Sequence, residues 1–211
     1  MSYIPKAFAT TADAAWAMIG RVGVGHLVTR TSDGFDATFL PILSDPDAGV
    51  IRVHVARANP MWRAVGPDGV DALLIVTGVD GYVSPSWYPS KADTGEVVPT
   101  WNYELVHVRG RLTVHDDIHA VADIVRALTE RHETGRAHPW SVDDAPAGYL
   151  DRMHRAIVGL ELAVVTIDGK DKLSQNRTDA DAAGVASALD AAGTERDQLH
   201  AVAVRAARSR S

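Results

Sequence analysis

Residues 26–41, HLVTRTSDGFDATFLP, give the strongest indication of the fold. Two β-prone runs flank Ser32-Asp33-Gly34, and an Asp-Gly pair between such runs is a strong signal for a β-hairpin. Further short strands follow with few helices between them, over 50–55, 70–76, 81–86, 101–114 and 159–167. Strands that succeed one another through hairpins form antiparallel sheets. We therefore predict an α+β fold, with the sheet closed into a small barrel and helices packed outside it.

Composition limits the class of protein. The chain has 211 residues, of which 46% are apolar and 23% are charged, so it can bury the core of one compact domain. It has no cysteine, which excludes a disulfide framework, thiolate zinc sites and thiol catalysis. No apolar run approaches the length of about 18 residues that a membrane helix needs. The N-terminus shows no secretory signal, so we expect a cytoplasmic protein.

The charge balance argues against direct binding of nucleic acid. The formal net charge is −6 at pH 7, whereas proteins that bind duplexes through phosphates present a basic face. Basic residues concentrate only in the last turns of the chain, at Arg205, Arg208 and Arg210. We expect residues 1–192 to form the folded domain with appended C-terminal helices. Residues 193–211 should form a weakly packed basic tail.

The strand over 50–56 and the turn after it carry the first candidate site. Alternation directs Ile51, Val53 and Val55 to the interior and Arg52 and His54 to the other face. Arg57 and Asn59 follow, just before a turn opened by Pro60. A guanidinium and an amide at a strand end, beside the N–H groups of a turn, are groups that bind phosphate. The alternative is an ordinary surface strand with outward charges.

A cluster of aromatic residues over 82–103 is the second unusual feature. Aromatic rings beside hydroxyl and amide groups suit a flat polar ligand, because rings stack while the polar groups fix orientation. Tryptophan and tyrosine are also enriched at protein interfaces. A cofactor bound at a dimer interface would satisfy both interpretations.

Two other patterns give little support for catalysis. His115 and His119 are spaced like two metal ligands on a helix, but they lack the glutamate of a His-Glu-x-x-His motif, so we expect no metal site. Ser84 and Ser86 lack the glycines of a nucleophile elbow, which argues against a serine hydrolase. The polar segment 172–177 either caps the helix after it or reaches over a ligand.

Several segments together resemble the PaiB family, whose members are described as FMN-binding negative transcriptional regulators. They are Tyr3-Ile-Pro-Lys, Ala37-Thr-Phe-Leu-Pro, His54-Val-Ala-Arg-Ala-Asn-Pro, Tyr82-Val-Ser-Pro-Ser-Trp-Tyr, Val98-Pro-Thr-Trp-Asn-Tyr, Ile157-Val-Gly and Lys172-Leu-Ser-Gln-Asn-Arg. The resemblance extends from residue 3 to about residue 190. It implies a split β-barrel related to flavoproteins of the pyridoxamine-phosphate oxidase type. It also implies a homodimer that holds FMN in clefts between the protomers.

By this resemblance, ten residues are expected to bind the cofactor. Thr38, Phe39 and Leu40 are expected along the isoalloxazine. The residues expected near the ribityl phosphate are His54, Ala56, Arg57 and Asn59, joined by Ser84. Trp101 and Asn102 are expected to close the cleft. The segment 172–176 is expected to act as a lid. One departure concerns Phe39, because family members usually carry a histidine there. The chain therefore lacks an imidazole at this place near the expected flavin.

The resemblance predicts an FMN-binding, PaiB-like negative transcriptional regulator with a small-molecule ligand or substrate. One alternative is an FMN-dependent oxidoreductase that acts on a small molecule, since the cofactor itself supplies the reactive centre. The other is a haem-binding split-barrel protein with His54 as a ligand. No acid, base or nucleophile is assigned from the sequence, so the question of catalysis stays open.

Overall fold

The computed structural model describes residues 3–209, and its elements confirm the expected α+β class. The helices are α1 (Ala12–Val22), α2 (Ile118–Glu133), α3 (Ala147–Arg155), α4 (Asp179–Ala192) and α5 (Glu195–Ser209). The strands are β1 (Val24–Thr31), β2 (Gly34–Pro41), β3 (Leu43–Asp45), β4 (Val50–Ala56), β5 (Val70–Val83), β6 (Thr100–His115) and β7 (Ile157–Lys172). Short 3₁₀ turns occur at Lys6–Phe8, Pro60–Ala64, Pro85–Trp87, Pro89–Lys91 and Val142–Asp144.

The strands form one seven-stranded sheet in the order β2-β1-β5-β6-β7-β4-β3. β2 and β3 lie at opposite ends of this order, although only Ile42 separates them along the chain. The sheet must therefore curl until its two ends approach each other. This closure produces the expected barrel.

The predicted hairpin over 26–41 is confirmed. β1 and β2 pair antiparallel from Val24 opposite Pro41 to Thr31 opposite Gly34, which leaves Ser32 and Asp33 as a two-residue loop. Gly34 has a φ of +124°, a backbone conformation that favours glycine. Alternate residues of the strands fill the barrel interior, among them Leu27, Leu40, Ile51, Leu74, Val108, Leu112, Leu160 and Leu162.

The chain divides into two compact units that share the long strands β5, β6 and β7. The barrel unit consists of residues 16–76 and 107–167. The helical unit consists of the described parts of 1–15, 77–106 and 168–211. Its core contains Val83, Tyr88, Val185, Ala186, Leu189, Ala201 and Val204, so α4 and α5 pack against the chain around β5.

Two features differ from the sequence prediction. The strands expected over 70–76 and 81–86 are one strand, β5, which continues through Gly78 and Gly81. The segment after residue 192 is not weakly packed, because α5 buries His200, Ala201, Val204 and Ala207. Small residues at helical spacing let it lie close to its neighbours, a role that charge counting does not reveal. Residues 1, 2, 210 and 211, which include Arg210, lie outside the described residues.

None of the helices between residues 3 and 209 is long and apolar enough to cross a membrane.

Candidate functional site

The expected alternation along β4 is observed. Ile51, Val53 and Val55 are buried, and His54 lies on the other face opposite Gly159 of β7. The His54 side chain is half-buried, and its Nδ1 is shielded from solvent with no hydrogen-bond partner. Desolvation by burial lowers the pKa of this imidazole. The ring is therefore neutral near pH 7 and carries one unused polar atom.

The turn after β4 joins two of the segments predicted to bind the cofactor. The Asn59 Oδ1 accepts a hydrogen bond from the N–H of Met61 at 2.9 Å, so this side chain caps the 3₁₀ turn Pro60–Ala64. Its Nδ2 donates to the Thr38 Oγ1 of β2 at 3.2 Å. The structure thus brings Thr38 and Asn59 together, although 21 positions separate them in the chain.

Arg57 is engaged within the protein. Its Nη1 and Nη2 donate to the two carboxylate oxygens of Asp116 at 2.9 and 2.5 Å. Its Nε donates to the carbonyl of Arg155 at 2.6 Å, and Nη2 also reaches the carbonyl of Ile157 at 3.0 Å. The hydrogen bond from Arg57 lowers the pKa of Asp116 and raises the pKa of the guanidinium. The side chain therefore fastens the end of β4 to the start of β7 and to the residue before the α2 cap.

Trp62 lies beside this cluster. Its Nε1 donates to the carbonyl of Arg57 at 3.0 Å. The guanidinium carbons of Arg57 and Arg63 lie 5.8 and 4.9 Å from the Trp62 ring centre, within the range of cation–π contacts. Among the described residues, the exposed Arg63 forms no ion pair. Arg63 is thus a cation beside Trp62, in the 3₁₀ turn that Asn59 caps, with no carboxylate partner in the described part of the chain.

The predicted residues of β2 divide between the two faces of the strand. Leu40 is buried in the barrel, so only its backbone can meet a ligand. Phe39 points outward with 62% of its surface exposed. It lies directly opposite His26 of β1, and the two ring centres are 5.0 Å apart. The position that lacks the family's histidine therefore has an imidazole beside it on the neighbouring strand.

Three predicted residues belong to the helical unit. Ser84 Oγ accepts from the N–H of Ser86 at 3.2 Å and caps a 3₁₀ turn. The Trp101 side chain is about half exposed, and its Nε1 donates to Asp80 Oδ1 at 3.0 Å. Asn102 is buried, and its Nδ2 donates to the Ser174 Oγ at 3.1 Å. Asn102 therefore meets another part of the protein rather than the surface.

The segment 172–176, expected to be a lid, is largely part of the interior. Leu173 and Ser174 are buried, and Ser174 has a φ of +67°, which is unusual for a residue with a side chain. Gln175 ties the turn together, since it accepts from the N–H of Leu173 and donates to the carbonyl of Asp171, each at 2.6 Å. These bonds hold the segment within the helical unit.

The sequence prediction missed several residues that determine these local structures. Asp116 and Trp62 hold Arg57, and Asp80 and Ser174 hold Trp101 and Asn102. No spacing rule links residue 57 to residue 116 or residue 102 to residue 174. Among residues 3–209, no group of three or more metal-ligating side chains comes together.

The donor types in the barrel unit fit FMN. Among the described residues, hydrogen bonds join Thr38 to Asn59 but connect neither of them to His54 or Arg63, so the convergence of all four on one cofactor stays a prediction. Thr38 and Asn59 provide a hydroxyl and an amide, and His54 provides a neutral imidazole with an unpartnered nitrogen. Arg63 provides an unpaired guanidinium beside the indole of Trp62. Neutral hydrogen-bonding groups with one free cation suit a polar ring system that carries a phosphate.

Comparison with known proteins identifies the family. Residues 2–166 match the family model described as "Putative FMN-binding domain". The chain belongs to this family. It is 33% identical over 182 residues to the protease synthase and sporulation protein PAI 2 of Bacillus subtilis, an alignment that covers 85% of this chain and 84% of the relative. It is also 32% identical over 185 residues to an uncharacterized protein of Aspergillus fumigatus, covering 72% of this chain and 70% of that one. The expected PaiB-like, FMN-binding type is thereby confirmed.

Solved structures support the fold. A flavocytochrome from Azotobacter vinelandii matches with a TM-score of 0.56 at 15% identity, covering 78% of this chain and 69% of that one. An FAD and haem binding protein from Mycobacterium smegmatis matches with a TM-score of 0.56 at 18% identity, covering 77% of this chain and 72% of that one. At these identities the likeness concerns the fold alone, and it confirms the split barrel.

Proposed function

We propose that this protein binds FMN and acts as a PaiB-like negative regulator of transcription. The observation that carries the proposal is the family match over residues 2–166, which includes the structurally joined Thr38 and Asn59. FMN supplies hydride and electron chemistry when it is bound. The regulatory part rests on the resemblance to PaiB.

The residues of the barrel unit would divide the recognition of FMN between them. Thr38 and Asn59 would offer a hydroxyl and an amide to polar atoms of the cofactor, and His54 a neutral imidazole. Arg57 is already paired with Asp116, so it would shape the phosphate side of the site by holding the turn in place. Arg63 would bring the free positive charge that a phosphate requires. The assignments of Ser84, Trp101 and Asn102 stay sequence predictions.

We further propose that the protein is a cytoplasmic homodimer. The outward face of β1, β2 and β5 supports this, because it joins Val28 and Leu73 to the exposed Phe35 and Phe39. A paired charge, Arg111 with Asp71 at 3.0 Å, lies beside this apolar surface. Apolar centres with charged surroundings are typical of interfaces between protein subunits.

Regulation would act through a partner or through the state of the cofactor, because the net charge of −6 disfavours direct contact with DNA. A mobility-shift assay with the DNA upstream of the protein's own gene tests this. We expect no sequence-specific shift that survives about 0.2 M salt. A salt-resistant, site-specific shift would show that the protein binds DNA directly.

An oxidoreductase is the second candidate, and the pair His26–Phe39 favours it. Histidine is the side chain that most often transfers protons in enzymes, and the exposed His26 lies beside the predicted flavin segment. The measurement is oxidation of NADH or NADPH by flavin-loaded protein with small electron acceptors. Turnover that falls in His26→Phe but not in His138→Phe, a change at an exposed histidine of the barrel unit, would support the enzyme.

Purification of the native protein tests the cofactor directly. Its absorbance spectrum should be that of a flavin, and the pigment released on denaturation should co-migrate with FMN. Recovery of haem in place of flavin, or of riboflavin without its phosphate, would contradict the proposal.

A further inference from the structure

A cavity of about 310 Å³ lies between helix α2 and the sheet of the barrel unit. On the sheet side it is lined by a row across three neighbouring strands, because Arg52 of β4 lies opposite both Leu43 of β3 and Glu161 of β7. His115, at the end of β6, adjoins this row. On the other side the cavity is lined by one face of α2, whose residues at helical spacing are Ala120, Asp123, Ile124 and Ala127.

The cavity exists because two of the α2 residues that face the sheet are alanines. Protein interiors are close-packed, and few voids exceed the size of one water molecule. Ala120 and Ala127 contribute only a methyl group each. The helix is nevertheless firmly attached to the barrel, since Val121, Ile124 and Leu128 are buried. The space is therefore a permanent feature of the packing, and its volume is in the range of small-molecule sites.

The charged groups around the cavity carry a surplus of negative charge. The Arg52 Nε donates to the Glu161 Oε2 at 2.8 Å, and its Nη1 donates to the Asp45 Oδ2 at 3.4 Å, so two carboxylates already balance this guanidinium. The other oxygen of Glu161, Oε1, lies 3.9 Å from the His115 Nε2, which is beyond hydrogen-bond distance. Among residues 3–209, the exposed Asp123 carboxylate forms no close ion pair. The cavity thus offers two carboxylates with unused acceptor capacity.

We propose that this cavity binds a small primary amine in its protonated form. The ammonium group pairs with the Glu161 Oε1 on the sheet, and the Asp123 carboxylate on the helix adds a second negative charge. A short alkyl chain packs against Leu43, Ile124 and the two alanines. An anion or a neutral molecule would leave the carboxylates uncompensated.

The amine site is separate from the proposed cofactor site. Within residues 3–209, the lining of the cavity includes none of the ten residues predicted to bind FMN. The inference therefore does not rest on the proposed function, and FMN binding is measured independently of it.

Isothermal titration of the full chain with n-butylammonium chloride tests the proposal. Parallel titrations at the same ionic strength use 1-butanol as the uncharged analogue and sodium butyrate as the anionic one. We expect n-butylammonium to bind at least about 10-fold more tightly than 1-butanol, because hydrogen bonds to charged groups are stronger than neutral ones. Butyrate should not bind. Each methylene added between ethylammonium and n-butylammonium should raise the affinity about 4-fold.

Substitutions that keep the side-chain shape test the role of charge. Glu161→Gln should weaken n-butylammonium binding about 10-fold and Asp123→Asn about 2- to 5-fold, because Glu161 is mostly buried and Asp123 is exposed. Glu130→Gln is the matched control for Asp123→Asn. Both acids are exposed on α2 and interact electrostatically with Arg126, but Glu130 lies outside the cavity lining. Glu130→Gln should leave the affinity unchanged.

A second pair of substitutions tests the role of the space. Ala127→Leu should occupy the cavity and weaken n-butylammonium binding at least about 10-fold, because the alkyl chain loses its place. Ala122→Leu makes the same change on another part of α2, outside the cavity lining, and should leave the affinity unchanged. If Ala127→Leu loses helix content in far-ultraviolet circular dichroism, the smaller change Ala127→Val replaces it.

Three results would each overturn the proposal. The first is wild-type protein that binds no n-butylammonium. The second is equal affinity for n-butylammonium and 1-butanol, which would show that the carboxylates do not recognise the charge. The third is wild-type affinity in Glu161→Gln, Asp123→Asn and Ala127→Leu together, which would place the amine at another site.

Discussion

Mild acid should destabilise this protein through its buried histidines, and His200 offers the clearest test. Burial lowers the pKa of the His200 imidazole below its ordinary value of 6.5, and Arg196 lowers it further. The carboxylates of Asp197, Asp80 and Glu104 act in the opposite direction but do not outweigh the burial. The Nε2 of this ring is shielded from solvent and has no hydrogen-bond partner, so the folded state has no acceptor ready for a second proton.

The unfolded chain binds a proton on His200 more tightly than the folded chain does. With a lowered pKa in the folded state, the unfolded chain binds more protons below pH 6.5, so the free energy of unfolding falls as the pH drops. The slope for one histidine reaches about 1.4 kcal/mol per pH unit. If His200 stays neutral in the folded state, the loss between pH 7.0 and 5.5 is up to about 1.3 kcal/mol. Burial also lowers the pKa of His54, which therefore contributes at most an equal loss of unfolding free energy.

The assay is urea unfolding followed by far-ultraviolet circular dichroism at pH 7.0 and 5.5, at one protein concentration. The wild type should lose up to about 2.5 kcal/mol, seen as a lower midpoint at constant slope. His200→Leu should lose only the His54 share, up to about 1.3 kcal/mol. The exposed His138 supplies the control, because His138→Leu should keep the full pH dependence of the wild type. If His200→Leu and wild type show the same pH dependence, burial does not hold His200 neutral in the folded protein.

Three further predictions concern single contacts. Asn59→Ala should cost about 1 kcal/mol of stability through loss of its cap and should weaken FMN binding. Thr38→Val keeps this cap but leaves the Asn59 Nδ2 without its acceptor, so it should also cost about 1 kcal/mol and should weaken FMN binding. Calorimetry measures stability and affinity, and unchanged FMN affinity in both variants would contradict the site. Gly81→Ala should lower the thermal midpoint, because the new Cβ would clash with His200. The same substitution in a His200→Ala background should cause a smaller loss, and an equal loss in both backgrounds would show that the clash lies elsewhere. Phe35→Glu should convert the proposed dimer to monomer in sedimentation equilibrium, and a dimer of undiminished affinity would place the interface on another face.

The local structure of the barrel was accessible from the sequence because short-range patterns determine it. The turn at Ser32-Asp33 predicts the hairpin, and alternation along β4 assigns the interior residues correctly. The strand expected over 101–114 is observed as β6, and the helix expected over 117–131 as α2. In each case the hydrophobic period and the turn residues lie within the element itself.

The internal partners of the candidate site could not be predicted in the same way. Arg57 has the residue type and position of a phosphate ligand, yet its guanidinium meets Asp116, which is 59 positions away. The packing of α5 was underestimated because its buried face consists largely of small residues, and its arginines suggested a solvated tail. Such contacts depend on how distant segments meet, and no single segment contains that information.

The proposed FMN site recognises the phosphate as well as the ring system. Its most direct test is an isothermal titration of cofactor-free protein with FMN and, in parallel, with riboflavin, which lacks only the phosphate. We predict one FMN per chain and an affinity at least about 10-fold higher than that for riboflavin, because a charged hydrogen bond to phosphate contributes about 1.5–3 kcal/mol. Equal affinity for both compounds would contradict the phosphate site. If neither compound binds, the protein is not a flavin-binding protein.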